Sequence, residues 1–235
     1  MASWEAHASC LAFEFSSGRH RIVINCGVPE VHREMWRQVA RSTAAHSTAV
    51  IADTSSCRFL QGGSMTRIFG APIVSGPKHV EVQRGTRNNA LLLRASHDGY
   101  AEPFGLIHQR SFRLAMEGNR LDGEDVFKAA EEGAKLPAET FAIRFHLHPS
   151  VTVERLDDPH TALLSLPNGE AWAFAAPHVP LGVEESVDLA AAGGPRRTAQ
   201  LVLSGEVVRT PRIIWTFVRT REAQSVPPGR PSGRG

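Results

Sequence analysis

Apolar and polar side chains alternate in short runs along the chain, and the most regular run lies between residues 141 and 148. Apolar side chains occupy every second position of this run: Phe141, Ile143, Phe145 and Leu147. The positions between them carry Arg144, His146 and His148. Because successive residues of a strand point to opposite faces, this pattern predicts a strand with one buried and one polar face. A second such strand is predicted where apolar side chains recur at Ile213, Trp215 and Phe217.

A hairpin is predicted around residues 167–170, where the pair Asn168-Gly169 supplies the positive φ angles of a tight turn. Its two strands would be residues 163–166 and 171–175. Other short apolar runs are bounded by Gly, Pro, Asn or Asp, which is typical of an all-β protein. These runs predict strands at 10–15, 20–25, 47–52, 79–84, 90–96, 106–115, 119–127, 183–189 and 198–208.

Two segments depart from this rhythm. Pro29 opens a stretch in which Val31, Met35 and Val39 recur every four residues, which predicts one short amphipathic helix. Residues 224–235 are rich in Pro and Gly and are expected to be a disordered tail. The expected fold is therefore all-β, a large antiparallel β-sandwich with one short helix, over residues 1–223.

Composition excludes several classes of protein. Hydrophobic residues make up 42% of the chain and charged residues 21%, which are ordinary values for a globular domain. A net charge of +2 argues against a dedicated nucleic-acid binder, which usually carries a strongly basic face. No apolar run is long enough to predict a membrane span. The three cysteines lack metal-knuckle spacing and are expected to be free, partly buried thiols.

Histidines mark three places where chemistry is conceivable. His7 precedes the predicted strand 10–15 and Asn25 ends the strand 20–25, His46 comes directly before the strand 47–52, and His97–Tyr100 follows the strand 90–96. Considered without any family, each of these side chains is either a hydrogen-bonded polar group at a strand end or a functional group. Spacing alone leaves both interpretations open.

Taken in order, these patterns resemble the C-terminal β-domain of the heparinase II/III-like polysaccharide lyases. That family has a His-x-His-x-Asp stretch running into a Leu-Ser-Phe strand, matched here by residues 5–9 and 11–13. Its Asp-x-Gly element is matched by Asn25-Cys26-Gly27, and its His-Asn-Thr element by His46-Ser47-Thr48. The resemblance extends over about residues 5–220 and includes later elements at 144–149, 166–169 and 195–198.

The resemblance implies a lyase that cleaves uronic-acid-containing polysaccharide by β-elimination. In such a reaction a base, Tyr or His, removes the C5 proton, and an acid protonates the departing oxygen. The family's β-domain works with an N-terminal α/α toroid that is missing from this chain, so we expect a fragment that is inactive in isolation. Relatives mostly work in the periplasm, which is the expected localisation, although residues 1–10 show no signal peptide.

The resemblance also implies roles for individual residues. His46 and Tyr100 are the catalytic candidates, and His7, Asn25 and His46 correspond to the family's structural zinc ligands. Arg110 and Arg144 are expected to pair with the carboxylates or sulfates of an acidic polysaccharide. Because the family's catalytic tyrosine belongs to the toroid, the favoured explanation of Tyr100 is a strand residue whose hydroxyl is hydrogen-bonded.

Three departures from the family pattern favour a second hypothesis. Asn25 stands where the family has a zinc-binding Asp, and a neutral amide is a poorer zinc ligand than a carboxylate. Glu5 stands where the catalytic His would be, and Ser9 replaces a further Asp. The alternative is therefore a non-catalytic carbohydrate-binding or scaffold module that has kept the sandwich and lost the lyase chemistry.

Overall fold

The computed structural model describes residues 6–29, 34–60, 71–191 and 193–223. Glu5 and the predicted tail, 224–235, lie outside the described residues. Two antiparallel sheets pack face to face around one core, so the predicted all-β sandwich is confirmed. None of the helices in these ranges is long and apolar enough to cross a membrane.

The strands alternate with tight turns. In chain order they are β1 (Phe15–Ser17), β2 (His20–Ile24), β3 (Ala49–Ile51), β4 (Arg58–Phe59), β5 (Ile73–Ser75), β6 (Val80–Arg87), β7 (Ala90–Tyr100), β8 (Leu106–Ala115), β9 (Arg120–Ala129), β10 (Thr140–Leu147), β11 (Thr152–Arg155), β12 (Thr161–Ser165), β13 (Ala171–Ala175), β14 (Leu181–Asp188), β15 (Arg196–Glu206) and β16 (Arg212–Arg221). The helical elements are α1 (Glu34–Arg41), a 3-10 turn (Thr43–Ala45) and α2 (Ala101–Phe104).

The larger sheet has eight strands in the order β11-β12-β13-β16-β9-β8-β7-β6. The smaller sheet has the order β1-β2-β10-β15-β14, with β3 also pairing with β10. Strands β4 and β5 form a separate two-stranded sheet. Strand β6 is thus one edge of the larger sheet, and all eight of its residues are exposed.

The core lies between the two large sheets and is aromatic. The predicted alternation of β10 is confirmed, because Phe141, Ile143, Phe145 and Leu147 are all buried. From the opposite sheet, Trp215 approaches Phe145 with ring centroids 4.9 Å apart. Each large side chain removed from water in this way contributes about 1.5–3 kcal/mol to stability. Trp172 and Trp215 are both buried here.

Two turns show how asparagine is used in this fold. Asn88 and Asn89 both have positive φ and join β6 to β7 in a two-residue hairpin, a conformation that asparagine tolerates better than most residues. The predicted hairpin between β12 and β13 is present, but Gly169 has positive φ and Asn168 does not. The Asn168 side chain instead accepts a hydrogen bond from the backbone N–H of Glu170.

Several element boundaries differ from the expectation. The predicted helix is present as α1, and Val31 lies outside the described residues. Val39 is exposed, so the packing of the described helix comes from Trp36 and Ala40 instead. The structure adds α2 and the 3-10 turn to the single helix expected. Residues 10–14 are not a strand, and Leu11 has positive φ. The short strands β4, β5 and β11 were not predicted.

Candidate functional site

His7 and His46 meet at one edge of the sandwich. His7 Nδ1 lies 3.1 Å from His46 Nε2. The His46 Nδ1–H donates to the carbonyl of Ser42 at 2.8 Å, which leaves Nε2 as the acceptor for a proton carried by His7. The chain turns sharply here, because His46 directly follows the 3-10 turn, and β3 begins three residues later at Ala49. The two histidines, 39 residues apart, are thus brought together as the resemblance implied.

Both imidazoles are neutral at physiological pH. Burial lowers the pKa of His46, and the nearby His7 lowers it further against the opposing effect of the Ser42 carbonyl. Burial also lowers the pKa of His7, and the charge of Arg41 acts in the same direction. His46 is almost fully buried, whereas His7 is only half-buried. His7 is therefore the member of the pair that reaches the surface.

Asn25 lies next to this pair but is committed to other contacts. Its Oδ1 accepts the backbone N–H of Ser47 at 2.9 Å, and its Nδ2 donates to Glu14 at 3.3 Å. Ser47 in turn donates from its hydroxyl to the carbonyl of Ile24 at 2.6 Å. The predicted trio is therefore assembled in one place, with Asn25 joined to the His46 segment through a backbone hydrogen bond.

These residues do not form a complete zinc site. Two nitrogens bound to one tetrahedral zinc at about 2.0–2.1 Å would be about 3.4 Å apart, so the spacing of the two imidazoles is close to that of a ligand pair. The third position, however, holds a neutral amide whose oxygen already accepts a hydrogen bond. No group of three His, Cys, Asp or Glu side chains with metal-binding geometry exists among the described residues. Zinc binding stays a prediction from the resemblance.

A second polar cluster, not singled out from the sequence, lies behind His46. His146 donates from Nε2 to the carbonyl of Ala44 at 2.9 Å and accepts from the hydroxyl of Ser186 at 2.7 Å. Cys26 Sγ lies 3.5 Å from the same ring. Burial lowers the pKa of His146 to about 4 and raises that of Cys26 to about 11. Both groups are therefore neutral and structural in character.

Tyr100 is fully buried. Its hydroxyl donates toward two backbone carbonyls, that of Ala49 at 3.0 Å and that of Thr54 at 3.3 Å. Burial raises the pKa of the phenol well above its usual value, which opposes any role as a base near neutral pH. This geometry matches the alternative in which the hydroxyl is satisfied inside the fold, and it gives the catalytic prediction no support.

Arg110 is also fully buried and lies on the inner face of β8. Its Nε donates to Asp125 Oδ1 at 2.7 Å and a terminal nitrogen donates to Oδ2 at 3.2 Å. The other terminal nitrogen donates to the carbonyls of Leu11 and Ser47 at 3.0 and 2.8 Å. Arg110 thus ties the larger sheet to the segment beside His46. Every nitrogen of its guanidinium group is engaged, which leaves none for a substrate carboxylate.

Two more histidines complete this buried network. His97 Nδ1 accepts the Gly99 N–H, so its Nε2–H donates to His108 Nδ1 at 3.3 Å. The His108 Nε2–H then donates to Asp125 at 2.7 Å. Burial lowers the pKa of His97 to about 3, so the histidines stay neutral while Asp125 is ionised. The network fixes the interior of the sandwich and does not open onto the surface.

Arg144 has a different environment. It projects from the outer face of β10 and forms an ion pair with Glu184 at 3.3 Å. Its Nε is a buried atom without a hydrogen-bond partner in the described part of the chain. Of the two arginines predicted to bind substrate, only Arg144 therefore retains a partly exposed guanidinium, and its role stays a prediction.

Comparison with known proteins now decides the family. A model of the family described as "Heparinase II/III-like, C-terminal" matches residues 1–216. The chain belongs to this family. The recognition of a C-terminal β-domain of the heparinase II/III-like type is therefore confirmed.

One curated relative is similar along most of the chain. It is FtsZ-localized protein C of Caulobacter vibrioides, which is 31% identical over 214 residues. The alignment includes 87% of this chain and 36% of the relative. The chain thus spans little more than a third of the length of this relative.

Solved structures confirm the fold. The heparan sulfate lyase HepC from Pedobacter heparinus matches with a TM-score of 0.70 and 14% identity, including 94% of this chain and 32% of that one. A crystal structure of heparinase III matches with a TM-score of 0.64 and 13% identity, including 91% of this chain and 29% of that one. At these identities the likeness concerns the fold of the C-terminal β-domain.

Proposed function

We propose that this domain is a non-catalytic, carbohydrate-binding module of a heparinase II/III-like protein and that its ligand is a uronate-containing polysaccharide. The observation that carries the proposal is that the candidate catalytic side chains are buried and hydrogen-bonded within the fold. Tyr100 is fully buried with its hydroxyl engaged, and His46 is almost fully buried between Ser42 and His7. A general base must come within hydrogen-bond reach of the proton that it removes. Neither side chain has that access here.

The test of this proposal is binding without cleavage. The 235-residue chain would be run through native gels containing heparan sulfate, alginate or a neutral glucan. Slower migration in an acidic polymer, with no shortening of that polymer, is the expected result. Migration that is equal in all three gels would contradict the proposal.

A lyase component is the second candidate, and His7 is the observation that favours it. Its imidazole is neutral, only half-buried and hydrogen-bonded to a second histidine, which are suitable properties for a general base or acid. In this case the active site would be completed by a toroid domain packed against this edge. Mixing the chain with a toroid domain from the same protein, and assaying the unsaturated product of β-elimination, separates the two. Cleavage that is lost in His7→Gln supports the lyase.

The curated relative suggests where such a module works. Its name describes an FtsZ-localized protein, which supports a scaffold role for the whole protein at FtsZ assemblies. Co-sedimentation of the chain with polymerised FtsZ from the same organism tests this point, with unpolymerised FtsZ as the control. Recovery of the chain in the polymer pellet alone is expected. Periplasmic localisation, the prediction from the resemblance, is the competing expectation, because FtsZ polymerises in the cytoplasm. Fractionation of cells that make the full-length product separates the two.

A further inference from the structure

We infer that the outer face of the larger sheet carries a binding site for the carboxylates of an acidic polysaccharide, centred on Arg94. This inference rests on the proposed function and deepens it, because that function names a ligand class without a site. The site is a cavity of about 520 Å³ on the side of strands β7, β8 and β9 that faces away from the core. Cavities of a few hundred Å³ are of the size that holds small ligands.

The strand register brings its polar groups into rows. Arg94 on β7 lies directly opposite Ser111 on β8, and Ser111 lies opposite Glu124 on β9. In the neighbouring row Leu92 lies opposite Arg113, which lies opposite Asp122. Directly opposed residues share a face of the sheet, so these side chains all point outward.

Cations outnumber anions around the cavity. Three arginines from three strands project on this face: Arg94, Arg113 and Arg212. Two carboxylates on β9 neutralise two of them, since Asp122 pairs with Arg113 at 3.3 Å and Glu124 pairs with Arg212. Arg94 is exposed and forms no ion pair with any carboxylate that the structure describes. Arg84 also borders the cavity, but it lies opposite Leu93 in a core-facing row, so its side chain leaves the sheet on the other face. The cavity thus offers one uncompensated guanidinium group.

Ser111 supplies an independent sign of a ligand. Its hydroxyl is a buried atom that has no hydrogen-bond partner among the described residues, although the side chain lines the cavity. A buried hydroxyl without a partner is destabilising by about 1–3 kcal/mol. Rotation about the χ1 angle of Ser111 would bring this hydroxyl to a carboxylate or hydroxyl oxygen held by Arg94, the residue directly opposite.

The apolar part of the lining favours a sugar over an acidic peptide. Leu92 and Ile214 both line the cavity, and Ile214 is 38% exposed. A uronate ring presents an apolar C–H face together with its carboxylate, so one residue of the polymer can contact both kinds of surface. The guanidinium group suits this ligand because it binds a carboxylate through two parallel hydrogen bonds.

The test compares Arg94→Gln with the control Arg155→Gln. Arg155 is an exposed arginine on β11, at the opposite edge of the same sheet. Each protein would be titrated by calorimetry with oligomers of a uronate polymer, a neutral glucan oligomer and a poly-glutamate peptide. We expect binding of the uronate oligomer to weaken about tenfold in Arg94→Gln, with Arg155→Gln unchanged.

Other outcomes overturn specific parts of the inference. Unchanged uronate affinity in Arg94→Gln would place the site elsewhere and leave the proposed function standing. Absence of uronate binding by the wild-type chain would remove both the site and the proposed function. Tighter binding of poly-glutamate than of the uronate oligomer, lost in Arg94→Gln, would keep the anion site and overturn the polysaccharide as its ligand.

Discussion

Arg110 holds Asp125 through two hydrogen bonds, at 2.7 and 3.2 Å, with both side chains fully inside the sandwich. The same carboxylate accepts hydrogen bonds from His108 and from the indole N–H of Trp215 at 2.8 Å. The arginine expected to bind substrate therefore neutralises an internal charge. Its task is to connect the two layers beneath His46.

Replacing the carboxylate tests this structural role. Asp125→Asn would leave a buried guanidinium without its counter-charge, and removing one partner of a buried ion pair costs about 3–5 kcal/mol. Urea unfolding at pH 7.5 measures the loss. Asp122→Asn, on the outer face of the same strand, is the matched control and should cost about 1 kcal/mol or less. Equal effects of the two substitutions would contradict the assignment.

Gly123 provides a second test of the core. A Cβ at this position would come within 2.1 Å of the Trp215 indole, so the ring occupies the space that a side chain would need. Gly123→Ala is expected to destabilise the fold by at least about 1–3 kcal/mol, the usual cost of overpacking. Gly85 is a strand glycine of the same sheet with open space around its Cβ position. Thermal unfolding of Gly85→Ala should therefore stay close to that of the wild type.

The buried, neutral His146 is expected to make the folded state less stable in acid. Its pKa is about 4 in the folded state and about 6.5 when unfolded, so below pH 6.5 the unfolded chain binds the additional proton. Stability from this group is complete above pH 6.5 and falls as the pH drops toward 4. At pH 5 the loss is about 2 kcal/mol.

Unfolding free energies at pH 7.5 and pH 5 measure this effect. His146→Asn removes the titrating group, so the difference between the two pH values should shrink by about 2 kcal/mol. His178→Asn, which changes an exposed histidine, should keep the wild-type difference. A wild-type difference retained in His146→Asn would show that other groups dominate.

Tyr100→Phe separates a structural hydroxyl from a catalytic one. The substitution removes one hydrogen-bond donor from the core, which should lower stability by about 1 kcal/mol and leave polysaccharide binding unchanged. Urea unfolding and calorimetric titration measure the two quantities. If cleavage is detected with a toroid partner and disappears in Tyr100→Phe at unchanged stability, the tyrosine is catalytic after all.

Most of the fold could be predicted because a strand with one buried face shows alternating apolar and polar residues in the sequence. The alternation of Phe141, Ile143, Phe145 and Leu147 identified β10 almost to its ends. Strands β4, β5 and β11 have two to four residues, which is too few to show an alternation of apolar and polar side chains. The turn at Asn88-Asn89 was missed, although two adjacent asparagines are a signal for positive φ.

The site was harder to predict because its contacts join distant parts of the chain. Resemblance brought His7 and His46 together correctly, but it could not show that Asn25 would bond to Ser47. A signal for the buried network was present in β8, where His108 and Arg110 share the inward phase of Leu106. Polar residues at core-facing positions of a strand usually form hydrogen bonds inside the core. This pattern would have predicted a structural role for Arg110 instead of substrate binding.

One titration tests directly whether the domain binds a uronate polysaccharide without cleaving it. The wild-type chain would be titrated with a defined uronate oligosaccharide in a calorimeter, and the same samples would then be assayed by ultraviolet absorbance for the unsaturated product of β-elimination. The account predicts saturable binding to one site and no unsaturated product. Product formed by the chain alone, or no measurable binding, would contradict it.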